Sequence, residues 1–324
     1  MIVAQSAPMR RALLLAERYA RTRLPILIVG ATGTGKELLA QHIHERSGRP
    51  GHFVDVNAWA LPRDMVESLV FGHRRGAFTG AVESTIGYVE RSDGGTLFLD
   101  ELAGLEETAQ GKLLRVLETG YVEALGAGVK RRVDLRVVCA AQDTMARALA
   151  EGRFRQDLFQ RLAGVLIELL PLASRSEDVL PLAEHFAAAR GRRLERGVEE
   201  ELVAYGWPGN VRELQMTIER AGELVEDGTL SRSAVAEAIE LGQLTRVMLS
   251  NGARLDERAQ FLKVCEAQGW NTAAIMRVTG LSRTTLHRRL REFGVSLRET
   301  KKYHFVSRCA EQCESTGAPT ARDG

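Results

Sequence analysis

An apolar run at residues 26–29 leads into Gly30-Ala31-Thr32-Gly33-Thr34-Gly35-Lys36-Glu37, and the helical pattern LLAQHIHER follows at once. This is G-x-x-x-x-G-K in its required setting of strand, glycine loop and helix. Glycines leave backbone N–H groups free to converge on phosphate oxygens, and the helix N-terminus adds partial positive charge. Lys36 has the length to reach the β- and γ-phosphates. An ordinary glycine-rich turn would need neither the lysine nor the strand before it. Glu37 stands where Ser or Thr commonly offers a hydroxyl to Mg2+, so the metal would be held by that carboxylate or through water.

The surrounding chain has the pattern such a loop needs. Short apolar runs at 26–29, 53–56, 96–99, 135–140 and 165–169 are each bounded by Gly, Pro or charge, with helical periodicity between them. Strands buried on both faces of a parallel sheet read this way, and crossover helices join them. From 176 to about 244 the strand signal vanishes and apolar residues fall at spacings of three and four. Residues 245–253, containing Ser250, Asn251 and Gly252, read as a short linker. The expected layout is an α/β domain at 1–172, a helical subdomain at 173–244, an all-α domain at 254–298 and a flexible tail at 299–324.

Composition excludes several classes. With 44% hydrophobic and 27% charged residues the 324-residue chain is of the globular type. No stretch of about 18 uninterrupted apolar residues exists, so no membrane span is expected. The opening MIVAQSAPMRRALLLAERYA is broken by Arg10, Arg11, Glu17 and Arg18 and reads as an amphipathic helix rather than a signal peptide. Four scattered cysteines, Cys139, Cys265, Cys309 and Cys313, do not make a disulfide framework and suit a reducing cytoplasm. His304, Cys309 and Cys313 read as a solvated tail with free thiols, since the spacing is unusual for zinc and a fourth ligand is missing.

A second motif turns binding into chemistry. Gly94-Gly95-Thr96-Leu97-Phe98-Leu99-Asp100-Glu101 puts two carboxylates at the end of an apolar strand, where a parallel sheet opens into the same crevice as the glycine loop. Asp100 is placed to hold Mg2+ directly or through water, and Glu101 to orient the water that attacks the γ-phosphate in line.

No rule for nucleotide binding calls for Gly76-Ala77-Phe78-Thr79-Gly80-Ala81, within ESLVFGHRRGAFTGA at 67–81. This segment resembles the sigma-54-contacting loop of bacterial enhancer-binding proteins, AAA+ ATPases that activate transcription. GYVERSDGGTLFLDEL resembles the segment around that family's Walker B motif, GRFRQDLFQRL its arginine-finger region and WPGNVREL its sensor II motif. The resemblance runs from about residue 5 to residue 298. It implies an AAA+ parallel-sheet ATPase with a helical lid, ATP and Mg2+ as cofactors, and a cytoplasmic ring, a hexamer of this chain or of this chain with a related activator. Its implied partners are the sigma-54 RNA polymerase holoenzyme and upstream enhancer DNA.

The same resemblance implies roles for single residues. Asn57 would restrain the catalytic Glu101. Arg155 and Arg161 would project into a neighbouring subunit's site, and Arg212 would reach phosphate from the lid. The tip at 76–81 would present Phe78 and Thr79 outward between Gly76 and Gly80. Some positions depart from the family pattern. Ala31 replaces a polar residue, and the sensor I segment, usually ending Ala-Thr-Asn, reads Cys139-Ala140-Ala141-Gln142. Ala141 lacks the hydroxyl, while Gln142 keeps an amide with a longer reach. Arg-Glu-Arg becomes Ala173-Ser174-Arg175, which weakens the pairing expected there. The ATPase region starts almost at Met1 with no sensory domain expected before it, so either control comes from a separate partner or from expression, or the sequence is a truncated piece of a longer protein.

The C-terminal segment LDERAQFLKVCEAQGWNTAAIMRVTGLSRTTLHRRLREFG reads as a helix at 272–278, a tight turn at 279–281 and a second helix at 282–293 with Ser282 as N-cap. It resembles the Fis-type helix-turn-helix that ends most enhancer-binding proteins. Between 282 and 302 stand seven basic residues, Arg298, Lys301 and Lys302 among them, against Glu292 and Glu299. That is an electrostatic footprint for DNA hidden within an overall charge of +2. Arg283, Thr284 and Thr285 are candidates for base edges, and Arg288 and Arg289 for bases or phosphates. The expected function is ATP-driven remodelling of the sigma-54 polymerase closed complex into the open complex. The alternative is a nucleotide-gated DNA-binding regulator that does not remodel. A general AAA+ chaperone or helicase loader is disfavoured by the loop at 76–81 and the helix-turn-helix.

Overall fold

The computed structural model describes residues 2–293 and 295, with the backbone alone over 249–257. Two compact units part between Glu240 and Leu241. The expected tail, with Lys301, Lys302, His304, Cys309 and Cys313, lies outside the described residues, as does Arg298 at the end of the expected all-α domain.

The first unit is built on five parallel strands, β1 (Ile26–Gly30), β2 (Phe53–Asn57), β3 (Thr96–Asp100), β4 (Arg136–Ala141) and β5 (Val165–Leu169), in the order β2-β3-β4-β1-β5. Alternation along the strands supplies two cores. One face sends Leu27, Val54, Leu97, Val137 and Cys139 into a cluster completed by Leu113 and Val116 of the helix Glu107–Thr119. The other sends Ile26, Ile28, Phe98, Val138 and Ile167 against α1 (Ala7–Ala20) and α2 (Lys36–Ser47). α1 starts because the Ser6 side chain accepts from Met9 N–H and Pro8 fits the first turn. Its buried stripe, Met9, Ala12, Ala16 and Ala20, is mostly alanine, which lets the helix axis approach the sheet closely. Register pairs Asn57 with Asp100, Leu99 with Cys139 and Val29 with Ala141, so the acidic strand end and the glycine loop share one edge.

The helical lid packs α3 (Val179–Ala189), the helix Val198–Ala204 and α4 (Asn210–Glu223) around Trp207, whose indole N–H donates to the Leu202 carbonyl at 2.7 Å. Two corrections to the sequence reading arise here. The lid holds a two-residue parallel pairing of Arg193–Leu194 with Thr229–Leu230, too short to leave a periodic signal. The linker expected at 245–253 is instead interior to one helix, α5 (Arg232–Ala267), because a single glycine costs a helix only about 1 kcal/mol and its neighbours carry it through.

The second unit is a small core of Phe261, Cys265, Trp270, Ile275, Leu286 and Leu290. It gathers α5, α6 (Thr272–Thr279) and α7 (Arg283–Glu292). Asn271 caps α6, Gly280 closes it in the left-handed region, and the Ser282 hydroxyl accepts from Thr285 N–H at the start of α7. Two short helices joined by a tight turn thus stand close to the bounds read from the sequence.

The weakened pairing expected at 173–175 is also corrected. Arg175 is 3% exposed and sits 3.5 Å from Asp178, which is fully buried. The guanidinium donates to the carbonyls of Thr34 (2.8 Å) and Leu170 (3.1 Å). The carboxylate of Asp178 accepts from the backbone N–H groups of Gln5 and Ser6 and from the Ser6 hydroxyl, each at 2.7 Å. Burial pulls against the charge of Arg175, and Asp178 offsets it. Removing one partner leaves the other charge buried alone, so Asp178→Ala should lower unfolding free energy by about 3–5 kcal/mol. Replacing both, Arg175→Met with Asp178→Leu, should recover most of that loss. Urea denaturation of the three variants checks both statements.

Candidate nucleotide site

The glycine loop is shaped by what presses on it. Gly33 has φ +77, and a Cβ there would run into the Gly209 carbonyl oxygen and approach the Arg212 side chain to 3.1 Å. That closeness is needed because the Gly33 carbonyl accepts from the N–H groups of Val211 (2.9 Å) and Arg212 (3.3 Å), where α4 begins. Beside it the buried Asn210 side chain donates to the Thr32 carbonyl (3.0 Å) and accepts from Leu172 N–H (2.7 Å). The start of α2 carries no side-chain cap, so no capping side chain occupies its first-turn N–H groups. Lys36 is only 7% exposed and its ammonium donates to the carbonyls of Gly30 (2.9 Å) and Ala31 (3.1 Å). Burial lowers its pKa from the ordinary lysine value, with Glu101 and Asp100 acting in the opposite direction.

At the end of β3 the Asp100 carboxylate accepts from Glu101 N–H at 2.9 Å. Glu101 itself has φ +52, a left-handed conformation that strains a residue with a Cβ and turns its side chain away from the strand line. Asn57 was expected to hold this carboxylate. The structure instead has the Asn57 amide oxygen accepting from Trp59 N–H (3.0 Å) and Ala60 N–H (3.3 Å), capping the turn Ala58–Ala60. The residue that does hold Glu101 is Gln142, whose amide N–H donates to the carboxylate, while its amide oxygen accepts from the Thr32 hydroxyl at 3.0 Å. The reach of Asn57 is indirect: Trp59 lies so close on Gly104 that a Cβ there would stand 2.8 Å from the ring, and Gly104 N–H donates to the Glu101 carbonyl at 2.8 Å.

Lys36, Glu37, Asn57, Asp100, Glu101 and Arg212 line one cleft of about 430 Å³, closed on the lid side by Phe186 and Gln215. The donor set fits a nucleoside triphosphate with its divalent cation: uncapped N–H groups and two cations for phosphate, and adjacent carboxylates for the metal. Asp55, outside the cleft lining, has its pKa raised by burial and by the neighbouring Glu37 and Asp100. Ala31 contributes its carbonyl alone, accepting also from the Thr34 hydroxyl at 2.8 Å.

Other residues named by the sequence lie elsewhere. Arg155 heads the helix Gln156–Leu162 and pairs with Asp157 at 2.7 Å, and Arg161 donates to the Leu117 carbonyl at 3.1 Å. Both are exposed, and neither lines the cleft of its own chain. The tip at 76–81 is closed by Gly76 N–H donating to the Ala81 carbonyl (2.9 Å) and Ala81 N–H donating to that of Phe78 (3.0 Å). Thr79 faces solvent, whereas Phe78 is 43% exposed with its ring 5.0 Å from that of His73. Ala81 is buried, so the hexapeptide is not presented whole. On α7, Arg283, Thr284 and Arg288 are exposed. Thr285 bonds Ser282, and Arg289 lies over the Phe261 ring at 5.7 Å.

Gln142, Asn210, Trp59 and Arg175 are the contributors that sequence reasoning did not place. Gln142 left a signal as a departure from the family pattern, and Arg175 as the one residue kept where Arg-Glu-Arg becomes Ala-Ser-Arg. Asn210 lay inside the quoted WPGNVREL with no role attached, and Trp59 two residues after Asn57. No helix among the described residues is long and apolar enough to cross a membrane.

Comparison with known proteins agrees with this geometry. A sigma-54 interaction domain matches residues 2–168, and an AAA+ ATPase lid domain matches 173–249. The Nif-specific regulatory protein of Azotobacter vinelandii is 37% identical over 92% of this chain and 60% of its own length. The response regulator PilR of Pseudomonas aeruginosa is 36% identical over 91% of this chain and 70% of its own. This chain therefore spans well under the full length of these curated relatives. Among solved structures, NtrX from Brucella abortus in complex with ATP superposes with a TM-score of 0.65 at 31% identity, covering 91% of this chain and 69% of that one. A parallel α/β nucleotide loop, a sigma-54 interaction domain and an AAA+ lid in this order establish that the chain belongs to the family of sigma-54-dependent AAA+ transcriptional regulators.

Proposed function

We propose that the chain is an ATP-hydrolysing activator that binds upstream DNA, assembles into a ring and remodels the sigma-54 RNA polymerase closed complex into the open complex. The observation that carries this reading is the convergence of Lys36, Asp100, Glu101 and Arg212 on one cleft, in a unit that also presents Thr79 and Phe78 on a closed surface tip. Lys36 and the first turn of α2 hold the phosphates, and Arg212 reaches them from the lid. Glu101 orients and deprotonates the attacking water. Asp100 and Glu37 would hold Mg2+ brought in with the nucleotide, which would supply positive charge against the phosphate oxygens. Arg155 and Arg161, exposed and outside their own cleft, serve the cleft of the neighbouring copy, which makes the ring a condition of turnover. The exposed side of α7, with Arg283, Thr284 and Arg288, enters the major groove of DNA.

Glu101→Gln should abolish hydrolysis and leave ATP binding in place; turnover that survives this change removes Glu101 as the base. Lys36→Ala should weaken ATP binding by about 100-fold or more, read by titration calorimetry, because it removes a charge-assisted contact in a desolvated site. Thr79→Ala should hydrolyse ATP normally yet form no open complex at a sigma-54 promoter. In the parent protein, open-complex formation should require hydrolysable ATP. An equal yield with a non-hydrolysable analogue would instead point to a nucleotide-gated DNA-binding regulator.

A further inference from the structure

A cavity of about 640 Å³, larger than the nucleotide cleft, lies between the helix Glu107–Thr119 and the antiparallel hairpin of Tyr121–Glu123 with Lys130–Arg132. Its lining runs from Phe71 and Val116, both buried, to Tyr121 and Lys130, both exposed, so it opens from the core to solvent. The volume is in the range of pockets that take small organic molecules.

The lining combines two kinds of surface. Phe71, Val116 and Leu125 give apolar walls, while Lys112, Arg115 and Lys130 bring three cations against the single carboxylate of Glu123. Lys112 is already engaged: it pairs with Glu67 and lies 5.9 Å from the centre of the Phe71 ring. Among the described residues, the Arg115 guanidinium and the Lys130 ammonium have no hydrogen-bond or ion-pair partner. Two such cations beside an aromatic and aliphatic wall suit an anion carried on a flat apolar ring. The ring packs on the wall, and the planar donor fork of arginine meets the anion. The nucleotide cleft has the other balance, with Glu37, Asp100 and Glu101 set for a metal, so the two cavities take different ligands.

The place of the cavity gives an occupant something to act on. Leu125 lines it and also holds the root of the 76–81 tip: its N–H donates to the Gly72 carbonyl and its carbonyl accepts from Arg74 N–H, each at 2.9 Å. Gly126, next in the lining, approaches Ala77 so closely that an added Cβ would stand 2.9 Å from that side chain. Phe71 ends the helix Val66–Phe71, which leads into the same tip. We infer that this cavity is a binding site for a small aromatic anion, a carboxylate or sulfonate on a flat ring, and that its occupant fixes the root of the tip. The site is built from residues outside the nucleotide cleft and requires neither ATP nor assembly.

The test uses the full-length chain without nucleotide and naphthalene-2-sulfonate as the probe, followed by equilibrium dialysis. Naphthalene-2-sulfonamide, the same ring without the charge, is the control. The sulfonate should bind with a dissociation constant of about 1 mM or tighter, the scale for a ligand of this size. The sulfonamide should bind at least about tenfold more weakly, because it forms no charge-assisted bonds. Arg115→Gln and Lys130→Gln, both at exposed positions, should each weaken the sulfonate by about fivefold or more. Leu125→Trp should fill the cavity and remove binding. Lys36→Ala should bind the sulfonate as the parent does; loss of binding there would place the probe in the nucleotide cleft and overturn the site. No binding by the parent, equal binding of sulfonate and sulfonamide, or parental affinity in both glutamine variants would overturn it as well. Amide exchange reads the effect on the tip. With the sulfonate at saturation, Leu125 N–H and Arg74 N–H should exchange more slowly by about threefold or more while exchange in β1 stays as in the free protein. Unchanged exchange at both would overturn the hold on the tip. None of these readouts involves hydrolysis, so they stand or fall apart from the proposed ATPase.

Discussion

The buried guanidinium of Arg175 is the point at which the rest of the first unit is tied together. It donates to the carbonyl of Thr34 in the phosphate loop and to that of Leu170 at the end of β5, and it faces Asp178 at the entry to the lid. Asp178 in turn holds the first turn of α1 through Ser6. Three parts of the chain, around Ser6, Thr34 and residues 170–178, thus meet at one desolvated ion pair. Such a pair gives little net stability against well-packed apolar replacements, but it tolerates no loss of a single partner and no slippage of its hydrogen bonds. Its effect is geometric: the loop, the lid and the N-terminal helix cannot shift independently.

The same economy appears in the way the lid meets the loop. Backbone groups do most of the joining, with Val211 and Arg212 N–H on the Gly33 carbonyl and the Asn210 amide between Thr32 and Leu172. Backbone contacts of this kind set the place of the Arg212 side chain without using it, so its charge stays available to the cleft. A charged residue held by its own main chain is better suited to meet a ligand than one held by salt bridges, since no existing partner must first be given up.

The five strands were legible because both faces of each are buried, which makes the runs apolar and short, and because the glycine loop fixes what precedes and follows it. The two C-terminal helices were legible from local chemistry alone, Ser282 and Gly280 marking the turn between them. The lid pairing Arg193–Leu194 with Thr229–Leu230 was not, since two residues carry no periodicity. Ser250, Asn251 and Gly252 suggested a loop where the long helix simply continues, propensity being a weak force against its neighbours. In the site, the residue types were readable, but their partners were not. Which amide meets Glu101 depends on strand order, and the order β3-β4-β1 puts Gln142 rather than Asn57 between it and the loop.

Trp59 gives this architecture an optical consequence. The chain has three tryptophans, of which Trp207 and Trp270 are buried and Trp59 is 59% exposed. Its indole rests on Gly104, at the end of the turn that begins with Glu101. A collisional quencher such as iodide therefore reaches the one indole that lies against the turn after Glu101, and its share of the intrinsic emission follows that turn without any attached dye.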